Sequence, residues 1–261
     1  MNLKASVPPV SIFNKGGCAR LLLVCEHASN FIPAEFDNLR LADEVLRSHA
    51  ALDIGAIDLA QAISRLLDAP LISTTVSRLV YDCNRPFSAI DAIPEKSEIY
   101  QIPSNQNLSE TEARDRFEKY YQPFETAISD RLAEFSTPPL LVTVHSFTPV
   151  YHGETRKVDI GIISDGDCRL SDQMVKLASA QTTLSVEANK PYGPEDGVTH
   201  TLGLHGNNNG LLNAMIEVKN DLLGSVEKCQ EIALTLATLI SASAAHFGYT
   251  IPLRSGHATN C

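Results

Sequence analysis

The sequence predicts a three-layer α/β domain built on a central mixed sheet. Short, continuous apolar runs such as Leu21-Leu22-Leu23-Val24-Cys25 have the pattern of strands buried on both faces. Stretches with three- and four-residue apolar spacing lie between those runs. Strand and helix patterns alternate along 261 residues with no repeat, low-complexity segment or linker, which fits one layered domain over 1–261.

In order, residues 1–17 contain two prolines and read as a loose leader. The strand Leu21 to Cys25 runs straight into Glu26-His27-Ala28-Ser29-Asn30. Leu39 to Ala69 reads as helical, because Ile54, Ile57, Ile63 and Leu67 recur near helical spacing and Pro70 follows. Leu71 to Val76 is rich in β-branched residues and reads as a strand. Arg85 to Asn107, with scattered prolines and polar residues, reads as a long loop, a kind of segment that often carries function.

Ser109 and Glu112 form a capping box that starts a helix with its stripe at Phe117, Tyr121, Phe124, Ile128 and Leu132. Pro123 is placed to kink it, and Pro138-Pro139 ends the unit. Leu140 to Val144 is a second buried strand, running into His145-Ser146. Val158 to Ile163 is a third strand, Leu170 to Ala180 a helix and Thr183 to Val186 a short strand. Lys190 to Asn209 holds six glycine or proline residues and reads as mostly loop. Ala214 to Val218 is a strand, Ser225 to Phe247 a long apolar helix, and 254–261 a polar tail.

The formal charge of -10 makes nucleic acid and anionic membrane surfaces poor partners. A small anionic molecule is still a suitable substrate where a local cationic pocket receives it, which directs attention to the arginines. The six cysteines include no C-x-x-C pair, and several lie in apolar runs, as in a reducing compartment. Residues 1–10 have no signal-peptide core, and no run approaches the roughly 20 apolar residues of a membrane span. The expectation is a cytoplasmic protein, with its oligomeric state left open.

Ligands of open α/β sheets sit beyond the carboxyl ends of the strands. Three strand ends carry functional groups: Glu26 and His27, His145 and Ser146, and Glu217. One histidine at such a place is more often a hydrogen-bonded structural residue. Two, with an acidic residue on a third strand, can converge on a metal ion. Catalytic zinc takes three nitrogen or oxygen ligands plus water, and a nearby glutamate acts as general base.

Arg78 and Arg85 flank Asp82 and Asn84, a pattern that reads either as a fork for a carboxylate or as a salt-bridged turn. No G-x-S-x-G elbow surrounds Ser146, which is read as a supporting hydrogen-bonding residue. His200 and His205 lie in a late loop that could close over a substrate or stand inert in solvent.

Six motifs together resemble the N-formylglutamate amidohydrolase family. They are Val24-Cys-Glu-His-Ala-Ser-Asn30, Leu52-Asp-Ile-Gly55, Ser77-Arg-Leu-Val-Tyr-Asp-Cys-Asn-Arg-Pro86, Val144-His-Ser-Phe-Thr-Pro149, Asp159-Ile-Gly161 and Ile216-Glu-Val-Lys-Asn-Asp221. The resemblance runs from about Leu21 to about His246 and implies kinship with zinc carboxypeptidases and their phosphorylase/hydrolase-like fold. It implies one divalent ion, zinc, on His27 and His145, with Glu217 as general base.

It further implies that Arg78, Asn84, Arg85 and His200 bind substrate, and that Arg156 or Arg78 stabilises the developing oxyanion. The reaction implied is cleavage of N-formyl-L-glutamate to formate and glutamate. Where carboxypeptidases carry a glutamate ligand, this chain has Asn30. Asp53 and Glu26 are the candidates for the third ligand, and Asp53 is favoured because the strand pleat points Glu26 away from His27. Hydrolysis of another N-acyl amino acid or short peptide is the nearest alternative, and a non-catalytic module for anionic metabolites a second.

Overall fold

The computed structural model describes residues 7–254. Seven strands form the central sheet: β1 (Val10–Phe13), β2 (Leu21–Cys25), β3 (Leu71–Thr74), and, after a ribbon of β4 (Lys96–Ser97) and β5 (Tyr100–Gln101), β6 (Leu140–Phe147). A second ribbon, β7 (Val150–Tyr151) and β8 (Glu154–Thr155), precedes β9 (Ile160–Ile163), β10 (Val186–Ala188) and β11 (Asn213–Lys219). The order across the sheet is β1-β3-β2-β6-β11-β9-β10. The strands β3, β2, β6 and β11 run parallel, β1 is antiparallel to β3, and β9 is antiparallel to β11, so the sheet is mixed as expected. Part of the stretch read as a loose leader is therefore an edge strand; of the expected polar tail only Arg254 lies within the described residues.

The continuous apolar runs follow from cover on both faces. Leu21, Leu23, Val142, Val144, Ile160, Ile162, Ala214 and Ile216 pack under α2 (Ala56–Leu67), α5 (Arg169–Gln181) and α6 (Val226–His246). The alternate residues Leu22, Val24, Ile72 and Leu141 face α4 (Gln122–Ala133) and the long segment before it. That alternation has period two, so His145 and Glu217 turn away from the α2/α5/α6 layer and toward the loop-covered side.

The main departure lies between Leu39 and Ala69. In place of one helix there are the short α1 (Asp43–Leu46), a turn over 47–55, and α2. Gly55 stops the helix from extending backward. Its φ is +81°, and a side chain there would meet Leu223 Cβ at 2.7 Å. The expected capping box on Ser109 opens α3 (Glu110–Arg116). Pro123 sits at the start of α4, and the wide turn Phe117–Tyr121 that joins α3 to α4 absorbs the missing donor. The strand expected at Thr183 to Val186 lies slightly later, and β6 continues through His145 and Ser146 to Phe147.

Candidate active site

His145 on β6 and Glu217 on β11 are direct register partners, and Gly161 on β9 is the next residue in that row. Side chains so paired point the same way and lie close together. Gly161 is required by crowding: a Cβ there would stand 1.7 Å from Lys190 O. The bare backbone lets the segment around Lys190 and Tyr192 pass close over the sheet, and Tyr192 becomes part of the cavity wall.

Two loops complete the cavity. His27 follows β2, and its carbonyl accepts a hydrogen bond from Asp53 N at 3.0 Å, which draws the turn before α2 to the same place. Asp53 Oδ2 then lies 2.8 Å from His145 Nδ1 and 3.3 Å from His27 Nδ1. Arg78 donates to the other oxygen, Oδ1. The opposite edges of both rings meet carboxylates: His27 Nε2 is 2.7 Å from Asp82 Oδ1, and His145 Nε2 is 3.0 Å from Glu26 Oε2, the latter short of hydrogen-bond geometry. Glu26 continues the face of Leu22 and Val24, away from His27, as the pleat requires.

His27, Asp53 and His145 offer ligand atoms within 4.8 Å of one another, all three residues being buried. Atoms bound to one zinc at ~2.1 Å stand about 3–3.5 Å apart, comparable to the Nδ1–Oδ2 distances here. A carboxylate behind the far nitrogen of each ring is the usual backing of a metal-bound imidazole. Charge gives a second reason. Glu26, Asp53 and Asp82 are all buried. Burial opposes their ionisation, but His145 beside Glu26, Arg78 beside Asp53 and His27 beside Asp82 outweigh it and hold all three below the ordinary carboxylate range.

Among the described residues Arg78 pairs directly with this trio, at Asp53, while Arg85 acts on Asp82 but is shared with Asp91 at 2.7 Å. The excess negative charge shows at His145: burial pulls its proton affinity down, and Glu26 and Asp53 reverse this to raise it well above the ordinary histidine value. A divalent cation answers the same excess, and two imidazoles with a carboxylate are a donor set that zinc accepts.

The cavity measures about 170 Å³ and is lined by His27, Asp53, His145, Glu217 and Tyr192, among others. Glu217 is buried, with Oε2 unpartnered. Burial, with Asp53 adding to it, raises its pKa from 4.5 to about 8. Arg78, Asn84 and Arg85 also reach the cavity, but much of their bonding capacity is already used. Asn84 donates to Val198 O at 2.5 Å and accepts from Thr201 N at 3.0 Å, tying down the late loop. Arg85 donates to Asp91, to its neighbour's carbonyl and to Gly197 O. Arg156 stands on the adjoining wall, 4.5 Å over the Tyr151 ring and 4.7 Å over Tyr192.

One expectation is redirected. His200 is not brought to this cavity. Its Nε2 meets Tyr121 Oη at 2.6 Å, and it lines a separate hollow behind Arg85. Asn30 is exposed and donates to Leu46 O at 2.8 Å, so the third group beside the two histidines is Asp53. Ser146 donates to Ile54 O at 2.8 Å, the supporting bond its sequence context implied. Sequence reasoning missed His49, which lines the cavity with Nδ1 3.8 Å from Asp53 Oδ1. Burial, with Arg78 and Arg156 nearby, lowers its pKa to about 4. Its only signal was its place four residues before Asp53.

Comparison with known proteins gives the family. The sequence profile described as N-formylglutamate amidohydrolase matches residues 19–223. The chain belongs to the N-formylglutamate amidohydrolase family. It is 45% identical to the gene product Atu2144 from Agrobacterium tumefaciens, covering 93% of this chain and 97% of that one, with a TM-score of 0.90. It shares its fold with an N-formylglutamate amidohydrolase from Ralstonia eutropha JMP134, at 19% identity, 93% and 100% coverage and a TM-score of 0.65. The tripeptide-bound cell shape determinant Csd4 of Helicobacter pylori aligns at 12% identity over 96% of this chain and 58% of that one, with a TM-score of 0.50. A comparison with curated sequences gave no match. Among the described residues no helix is long and apolar enough to cross a membrane, and no disulfide forms.

Proposed function

We propose that the protein is a metal-dependent amidohydrolase that cleaves N-formyl-L-glutamate, or a similar small N-acyl amino acid, to the acid and the free amine. The observation that carries this reading is the cluster of His27, Asp53 and His145 in one small cavity with the unpartnered carboxyl of Glu217. His27, Asp53 and His145 would hold the ion, zinc being the best match to their donor atoms. Such an ion, when bound, acidifies water and polarises a carbonyl oxygen.

The protein's own groups do the rest. Glu217 takes a proton from the attacking water at Oε2, and the water oxygen bonds to the acyl carbon. The same carboxyl then delivers that proton to the amide nitrogen as the C–N bond breaks. The proton affinity that Glu217 has in the metal-free cavity would be drawn down by a cation held by His27, Asp53 and His145, leaving a carboxylate able to take the proton and return it. Arg78 fixes the orientation of Asp53. Arg156 and the outer edge of Arg85 are the cationic groups for a substrate carboxylate, and Arg156 or Arg78 is the candidate for an oxyanion, Arg78 lining the cavity itself and Arg156 the adjoining wall. The volume of about 170 Å³ supports a substrate of amino-acid size over a peptide.

The test is formate release from N-formyl-L-glutamate by purified protein, before and after chelation, and with zinc or cobalt restored. Chelator-sensitive release is expected. Undiminished release from demonstrably metal-free protein would sink the reading, and failure with metal bound would move the search to other acyl groups.

A further inference from the structure

His49 is left idle by the steps above, yet it is built into the same cavity. It sits in the turn between α1 and α2 and is 9% exposed. The turn is fastened from three directions: Ser97 Oγ donates to Ala50 O at 3.2 Å, Ser77 Oγ to Ala51 O at 2.7 Å, and Asp53 N to His27 O at 3.0 Å. The backbone that carries the ring is therefore fixed, and burial limits where the ring can turn. Its Nδ1 is buried without a hydrogen-bond partner, 3.8 Å from Asp53 Oδ1. Nε2, on the far edge of the ring, is the nitrogen left for the cavity.

The tautomer follows from the neighbour. A carboxylate oxygen only accepts, so even at 3.8 Å its field favours the tautomer with the ring proton on Nδ1. Nε2 then presents a lone pair. The nearby guanidiniums of Arg78 and Arg85 are donors. Of the acceptors that line the cavity, Asp82 is engaged by His27 and Glu217 by proton transfer, which leaves His49 Nε2, besides Glu98 at the rim, for an N–H that a substrate brings in.

We propose that His49 Nε2 accepts a hydrogen bond from the N–H of the scissile amide, and so favours secondary amides over esters of the same shape. This rests on the amidohydrolase reading. An amide N–H entering a dry site loses its water partner, and an acceptor placed for it restores that bond. The bond also has a use in the reaction. As the nitrogen loses planarity, its lone pair must meet the proton carried by Glu217, and an N–H anchored on His49 fixes which way that lone pair turns.

The experiment compares kcat/KM for two substrates, N-formyl-L-glutamate and the formate ester of 2-hydroxyglutarate, after correction for spontaneous ester hydrolysis. Zinc-loaded parent, His49→Phe and His49→Gln proteins are used, and zinc affinity is measured for each by chelator competition. His49→Phe is expected to lower kcat/KM about 10–100-fold on the amide and to leave the ester within about 2-fold. His49→Gln, whose side-chain oxygen accepts, should recover part of the amide rate at unchanged zinc affinity. Equal loss on both substrates, or no loss on either, overturns the assignment. A fall in zinc affinity also overturns it, by making His49 a prop for Asp53. If the parent with zinc bound turns over the ester alone, the amide role fails; if it turns over neither, the amidohydrolase reading fails and takes this inference with it.

Discussion

The sheet carries a few inner residues of the cavity and loops carry most of the rest. On the sheet side, His145 and Glu217 are neighbours because β6 and β11 pair in register, and Glu26 continues the same face from β2. Nothing beyond the ladder is needed to bring them together. On the loop side, His49, Asp53, Arg78, Asp82, Asn84 and Arg85 lie on irregular backbone. Their places depend on particular hydrogen bonds, such as Asp53 N to His27 O and Asn84 to Val198 and Thr201. The sheet supplies fixed spacing; the loops supply charge and adjustability, at the expense of needing many partners to hold still.

The comparison breaks most sharply at Asp53, where the two parts meet. Asp53→Asn keeps the shape and an oxygen for Arg78 but removes the charge that both histidines face. Loss of bound metal on dialysis, read by elemental analysis, and loss of turnover are expected. Full metal retention would place the third ligand elsewhere.

Next comes the sheet side. Glu217→Gln should keep its metal while kcat falls about 10²–10⁴-fold, the usual worth of a positioned acid–base group; near-normal kcat would remove Glu217 from the chemistry. The same variant tests the buried proton. The pKa of Glu217 is raised from 4.5 to about 8, so the folded chain keeps a proton that the unfolded chain releases. Stability of the metal-free protein therefore declines as pH rises between those values. The glutamine variant lacks this decline, so its Tm advantage over the parent should widen from pH 5 to pH 8. An advantage independent of pH would contradict the assignment.

The smallest effects sharpen the contrast. Asp82→Asn removes the loop-borne carboxylate behind His27, and Glu26→Gln the one just past the end of β2 behind His145. Each should weaken metal affinity about 10–100-fold by chelator competition. A loss confined to Asp82→Asn would mean that the ladder holds His145 without help.

The same division explains what was legible in the sequence. The buried runs at 21–25 and 140–144 marked their strands, and the residues that follow, His27 and His145, stood out because strand ends deliver ligands in this architecture. Glu217 was visible in the same way. The loop side was harder to read. Apolar spacing between Ile54 and Leu67 extended a helix back across the turn that holds His49, because periodicity does not register a glycine packed on Leu223. Asp53 came from the family motif rather than from its spacing. Arg78 and Arg85 looked available for substrate, yet Asp53 and Asp91 already pair with them. A sequence displays charges without saying which are neutralised. His200 shared a suggestive loop with His205, but Tyr121, distant in the chain, claims its ring.

Gly161 has a consequence for how such a protein diversifies. With Lys190 O where a side chain would begin, Gly161 has no freedom to mutate, and it fixes one end of the row it shares with Glu217 and His145. Variation has to enter at the rim instead. Glu98 stands beyond the end of β4 and Tyr151 at the end of β7, both on short ribbons outside the sheet, and both look into the cavity. On the proposed function, changes there would alter which acyl amino acids are admitted while the inner residues stay the same. Sorting homologues by their two ribbons would then group them by diet, while sorting by the Gly161 row would merely gather the whole lineage.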